Sequence, residues 1–167
     1  HQANLFPTGY SGLEDRGVGD GAGANTNLPL PSGCGHDAYL YAIERVVLPL
    51  IQSFRPDIII IANGLDASHV DPLGRMSCLS STYAQMTSMI MAAADEHCGG
   101  RVVAIHEGGY SEAYVPFCGH RVVESLAGIE SDLVDPFLPK FLEQQPDAAQ
   151  VAQQCAAIDT MAARLGL

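Results

Sequence analysis

Residues 55–76 read RPDIIIIANGLDASHVDPLGRM, and residues 99–110 read GGRVVAIHEGGY. The first contains an unbroken β-branched run, Ile58–Ile61, and the second the apolar run Val102–Ile105; each ends in small and polar residues. Such runs suit strands buried on both faces, as in a parallel sheet. Between them, residues 81–97 carry a helical pattern, opened by Ser80 or Ser81 and closed by Gly99-Gly100. Upstream, DAYLYAIERVVLPLIQSF (37–54) places Leu40, Ile43, Val47, Leu50 and Ile51 at amphipathic-helix spacing. Asp37 is the expected N-cap, Pro56 the stop, and Pro49 the source of a kink in the last turns. Downstream, helices are expected over 118–126 and 148–165. The order α-β-α-β-α-α makes this an α/β chain with a parallel sheet and right-handed crossovers.

The remaining segments look irregular. Residues 1–35 are rich in Gly, Asn, Pro and Ser and read as one long loop, with a short extended piece at 26–30; loops of that length are usually functional. DPFLPKFLEQQPD (135–147) reads as a tether. The chain opens on HQANLFP, with neither an initiator Met nor a start signal for a helix or strand. The expectation is a segment from within a longer protein.

Composition narrows the function. The 167 residues are 47% apolar and 16% charged, which supports one buried core and argues against disorder. Nineteen acidic residues against eight Lys plus Arg give a net charge of −11. That surface repels phosphate backbones and anionic membranes and favours cationic or neutral substrates, so no nucleic-acid or membrane partner is expected. No apolar run is long enough for a membrane span. Cys34, Cys78, Cys98, Cys118 and Cys155 are widely spaced, with no C-x2-C pair, and read as small core hydrophobes of a reduced, cytoplasmic protein.

Ligands of open α/β sheets bind beyond the carboxyl ends of the strands. That rule selects Gly64-Leu65-Asp66-Ala67-Ser68 after the first strand and Glu107-Gly108-Gly109-Tyr110 after the second. If the strands are neighbours, Asp66 and Tyr110 face one cleft. Asp66 offers a hard oxygen ligand for a divalent metal, and the Tyr110 phenol a donor for a developing oxyanion. The commoner roles stand beside these: Asp66 as a cap or turn former, Gly-Gly-Tyr as a structural turn, Asp71 before Pro72 as a turn residue. His69 and His106 lie near the same strand ends but lack a second His or Cys at ligand spacing. HEGGY is not a helical H-E-x-x-H site, and Gly19–Ala24 (GDGAGA) has no strand before it to make a dinucleotide loop. Spacing alone reaches a metal or small-molecule cleft built on Asp66 and Tyr110.

Read together, these two motifs and their separation resemble the C-terminal half of the histone deacetylase family. The likeness is to bacterial class II-like homologues and, more distantly, to acetylpolyamine amidohydrolases. HQANLFP with its Gly-rich continuation and NLPLP resembles the loop after that family's central metal-binding strand, so the likeness runs from His1 to about Leu126. It implies a three-layer arginase–deacetylase type α/β fold, here only the C-terminal part of the domain. On that basis 1–167 divide into a Gly-rich active-site loop (1–36), a βα core (37–128) and a C-terminal tether and helix (129–167).

The resemblance also implies a zinc hydrolase that cleaves an acetamide. Asp66 matches a zinc-binding aspartate, and Tyr110 the tyrosine that stabilises the tetrahedral intermediate. Phe6 matches an aromatic wall of the acyl-lysine channel, Leu73 its rim, and Gly108 and Gly109 the glycines flanking the acetyl pocket. The family's D-x-H zinc ligands and its tandem His base have no counterpart in this sequence, and zinc needs about three protein ligands. Asn63-Gly64-Leu65-Asp66 replaces the family's A-G-F-D. Ala24 stands where many relatives have an aromatic beside a potassium ion, which counts against K+ there. The expected substrate is acetyl-lysine or another acetylated amine, acetylpolyamines included. The different-class alternative is an inactive fragment or incomplete subunit that works only by pairing with a missing N-terminal portion or with another copy.

Overall fold

The computed structural model describes residues 1–9 and 11–167. Helix α1 spans His36–Ala42, passes through a π turn at Ile43–Val47, and continues as α2, Leu48–Phe54. Strand β1 is Ile59–Asn63, α3 Ser80–Cys98, β2 Val102–His106 and α4 Val115–Ala127. Two further helices, α5 (Leu138–Glu143) and α6 (Ala148–Leu165), complete the chain.

The strands are parallel, paired from Ile59 with Val102 to Asn63 with His106. Helices α3 and α4 pack together over one face, where Ala104 joins a core of Leu65, Cys78, Leu79, Tyr83, Tyr114, Cys118, Val122 and Phe141. The other face carries Ile58, Ile60, Val103 and Ile105 and is exposed, Ile60 to 61%. This corrects the expectation of strands buried on both faces: a β-branched run asks for two apolar covers, and these residues supply one. A second core joins α1, α6 and the loop, with Leu13, Leu30, Cys34, Val46, Ile158 and Met161 at its centre.

Local chemistry explains the element boundaries. Helix α1 starts at His36 after Gly35, so Asp37 lies in the first turn and is not the N-cap. The kink expected at Pro49 takes the form of the π turn before it. Proline brings no N–H and clashes with the carbonyl four residues back, and the widened turn accommodates both. Helix α2 ends at Phe54 with Arg55 left-handed, φ +53°, just before Pro56. Helix α3 is capped by neither serine's side chain: Thr82 Oγ1 accepts the Leu79 N–H at 2.9 Å. Helix α4 begins three residues before the expected start, with Pro116 in its first turn, where a missing N–H costs nothing. The extended piece expected at 26–30 is reduced to a single bridge between Leu30 and Gln2.

The tether also needs correcting, because it contains α5. Phe137 and Phe141 stack at 5.7 Å and meet the Tyr114 ring edge-on at 5.9 and 4.9 Å. Tyr114 Oη accepts the Ser80 N–H at 2.8 Å, and Ser80 Oγ donates to Asp135 at 2.6 Å. The segment is thereby fastened to the start of α3. All five cysteines are free, four of them buried. Burial pushes the Cys34 thiol up to about 11 and Cys118 up to about 12, so both stay neutral core groups. No helix among the described residues is long and apolar enough to cross a membrane.

Candidate active site

Because Asn63 and His106 pair, both strands end level and their exit loops lie side by side. The Glu107 N–H donates to the Asn63 carbonyl at 3.2 Å, and Leu65 N–H to the Gly108 carbonyl at 2.7 Å. These bonds carry the pairing past the strands to the two predicted residues. Asp66 lies across the turn from Gly108: a Cβ on Gly108 would fall 2.4 Å from Asp66 Oδ2 and 3.4 Å from the Tyr110 hydroxyl. The carboxylate and the phenol thus both border the space that a Gly108 side chain would fill. The other oxygen, Oδ1, would lie 3.0 Å from a Cβ on Gly64. Asp66 is half-buried, and no donor among the described residues reaches its carboxylate. Tyr110 is 51% exposed.

The two glycines differ physically. Gly108 has an ordinary backbone, and its lack of a side chain makes room for the two functional groups. Gly109 has φ +136°, and a Cβ there would meet Leu65 and Val115 at 2.9 and 3.0 Å. Its role is to let the chain turn.

Around this pair, the 66–78 loop folds back on itself. Gly74 lies so close to the Asp66 carbonyl that a Cβ would overlap it, at 1.9 Å. Asp71 is the turn former expected: Oδ1 accepts the N–H groups of Leu73 and Gly74, both at 2.8 Å. Its other oxygen accepts the Tyr110 N–H at 2.8 Å, a contact that sequence reasoning missed. No local pattern announces a partner 39 residues away. Leu73 projects from this loop and is 60% exposed. The N-terminal segment is tied to the same loop: Gln2 Oε1 accepts the Arg75 N–H at 2.8 Å, and Ala3 and Leu30 are backbone-paired. Phe6, on that segment, is 80% exposed.

The nearby histidines take other roles. His69 packs at a tilt against Phe141, ring centres 4.7 Å apart, and pairs through Nε2 with Gln144 at 3.1 Å, while His106 is exposed at the strand end. Among the described residues no group of three His, Cys, Asp or Glu could hold a metal ion. Asp66 offers a single carboxylate, and zinc needs about three protein ligands, so the described residues do not complete a site.

Residues 1–126 match the histone deacetylase domain. Over its whole length the chain is 52% identical to a histone deacetylase-like amidohydrolase of Pseudomonas aeruginosa, of which it covers 44%. The structure matches that of the histone deacetylase Clr3, a Schizosaccharomyces pombe protein, with a TM-score of 0.77 at 29% identity, over 99% of this chain and 27% of that one. It matches the crystal structure of the HDA15 HD domain with a TM-score of 0.73 at 27% identity, over 98% of this chain and 42% of that one. The chain thus spans less than half the length of each of these relatives. The likeness carries the arginase–deacetylase α/β fold to this chain, with β1 and β2 part of its parallel sheet. The chain belongs to the histone deacetylase domain family.

Proposed function

We propose that these residues form one wall of the active site of a zinc-dependent amidohydrolase that removes acetyl groups from lysine or a related amine. The observation that carries this reading is the meeting of the Asp66 carboxylate and the Tyr110 hydroxyl over the Cα of Gly108. Hydrolysis of an acetamide places negative charge on the carbonyl oxygen, and a preorganised O–H donor lowers the barrier to that change. Tyr110 supplies the donor. Its phenol keeps its proton through the reaction and releases the carbonyl oxygen when the carbonyl re-forms. A zinc ion, when bound, polarises the carbonyl and makes water a stronger nucleophile. Asp66 is one of its ligands in this reading; the other ligands and the general base come from residues outside these 167.

Phe6 and Leu73 sit on tethered segments beside the strand ends, and their exposed side chains line the approach for the acyl chain. The net charge of −11 suits a substrate that is an amine elsewhere, acetylpolyamine as well as acetyl-lysine. In domain terms, residues 1–36 are the active-site loop, 37–128 the βα core and 129–167 the fastening segment, all within one domain. The bare face of Ile58, Ile60, Val103 and Ile105 is where the remaining part of that domain packs.

The test is turnover of a fluorogenic acetyl-lysine amide by the intact protein, with zinc content measured alongside. One zinc per chain and turnover are expected, and Tyr110→Phe should lower kcat by roughly 10²–10³, the cost of losing one oxyanion donor. A loss below about threefold would remove Tyr110 from this role. Residues 1–167 alone should bind no stoichiometric zinc and hydrolyse nothing.

A further inference from the structure

The loop leaving β1 and the turn leaving β2 belong to different strands, yet one buried carboxylate joins them. Asp71 Oδ1 accepts the N–H groups of Leu73 and Gly74, and Oδ2 accepts the Tyr110 N–H, each at 2.8 Å. Among the described residues no Lys, Arg or His pairs with it; its acceptors are taken by three backbone N–H groups. The first two bonds are what an Asp before Pro does in shaping a turn. The third is not needed for that turn. It crosses to another element and ends on the backbone of the residue placed above as oxyanion donor.

We propose that Asp71 is a positioning residue for Tyr110, holding the peptide from which the phenol projects. Tyr110 needs such an anchor. It follows Gly108 and Gly109, the second at φ +136°, so the chain before it lacks the side chains that normally restrict rotation. Its side chain is half exposed, and no described residue hydrogen-bonds its hydroxyl, so neighbouring groups do not fix it. A hydrogen bond to a carboxylate is about twice as strong as a neutral one and holds the N–H in direction as well as distance. The same carboxylate fixes the N–H of Leu73. The rim residue and the oxyanion donor are therefore keyed to one group, and their spacing is set together. The inference rests on the reading of Tyr110 given under Proposed function.

The experiment uses the intact, zinc-loaded protein. Asp71→Asn keeps one acceptor oxygen for the Leu73–Gly74 turn and turns an NH2 group toward the Tyr110 N–H. Expected is a fall in kcat of about tenfold, with KM within about twofold, because an interaction felt in the transition state is lost. In a Tyr110→Phe background the same change should alter kcat by less than about twofold, since a residue acting only through the phenol has nothing left to act on. Equal falls in both backgrounds would overturn the proposal and leave the assignment of Tyr110 standing.

Site-resolved amide hydrogen exchange gives a readout apart from turnover. The Tyr110 N–H should lose protection by about tenfold or more, while the Val115 and Cys118 amides, bonded within their own turn and helix, keep theirs. Unchanged protection at Tyr110 would overturn the proposal. If wild-type protein hydrolyses no acetylated amine, the proposed function fails, and exchange at Tyr110 still decides whether Asp71 anchors it. Should the Asn variant not fold, Asp71→Ser caps the same turn with a side chain too short to reach Tyr110, and the same readouts apply.

Discussion

Replacing Gly108 by alanine separates chemistry from folding at the site. The backbone at Gly108 is one that alanine adopts freely, so the effect is steric. The added methyl would lie 2.4 Å from Asp66 Oδ2 and 2.9 Å from its Cγ. To restore an ordinary van der Waals contact the carboxylate must retreat by about 1 Å. It retreats by rotating off its rotamer, at about 0.5–1.5 kcal/mol. That strain is small for the fold but the displacement is large for a ligand, whose metal distance tolerates about 0.2 Å. The Tyr110 hydroxyl, 3.4 Å from the new methyl, would be in ordinary contact with it, so the displacement falls on Asp66. In the intact protein, zinc affinity measured against a chromophoric chelator should fall by about 10–100-fold. Turnover of an acetyl-lysine amide at saturating zinc should fall by about 100-fold, the cost of a 1 Å misplacement. The melting temperature should move little. Gly109→Ala is the contrasting control, since its φ of +136° and its contacts with Leu65 and Val115 make alanine a folding defect. A Gly108→Ala protein that keeps its zinc and turns over within about threefold of wild type would refute the placement of Asp66.

Two further changes probe the scaffold. In α4, a methyl on Gly119 would meet only Leu65 Cδ1, at an ordinary 3.5 Å, so Gly119→Ala should stabilise the protein by about 0.5–1 kcal/mol in urea unfolding. Glu124 in the same helix accepts from Ser131 through Oγ and N–H, and from Arg121 and His120. The Ser131 bonds, led by its hydroxyl, hold the carboxyl at about 2. A depressed carboxyl contributes stability above its unfolded value of 4.5 and loses it as pH falls through the folded one. The gap in melting temperature between wild type and Glu124→Gln should therefore be full above about pH 5 and close toward pH 2. A gap that stays constant across that range would show that the ionised carboxyl does not fasten residues 129–134 to α4.

What could be read in advance was whatever local pattern decides. The runs Ile58–Ile61 and Val102–Ile105 identify strands because short apolar runs rich in β-branched residues favour extended chain, and α6 matches its expected bounds because Asp147 and Gln150 form a capping box at its start. Helix α5 was hidden by its prolines. Its signal was the Phe137–Phe141 pair, four apart on one helical face, and that pair has meaning only once Tyr114 is there to receive it. A kink could be anticipated at Pro49 but not its form, since the choice between a bend and a widened turn depends on packing. Asp66 and Tyr110 came from a rule about strand ends, and the structure brings them together. Asp71 reads as a turn residue because the turn is local, and its bond to Tyr110 exists only through the folding of two loops.

The placement of the site follows from register more than from any one residue. Asp66 stands three positions beyond Asn63, and Gly108 two beyond His106, and those strand residues are partners. A shift of pairing by one residue would move Gly108 by about 3.3 Å along the strand, well outside the reach of a shared contact. It would also turn the Ala104 face away from α3 and α4 and bring the exposed Val103–Ile105 face onto them. The apolar core therefore fixes the register, the register fixes the level at which the strands end, and the Leu65–Gly108 bond carries that level to the cleft. Two strands with one covered face already specify where the carboxylate and phenol meet. That is why the pairing at Gly108 exists here, although the described residues do not complete a metal site.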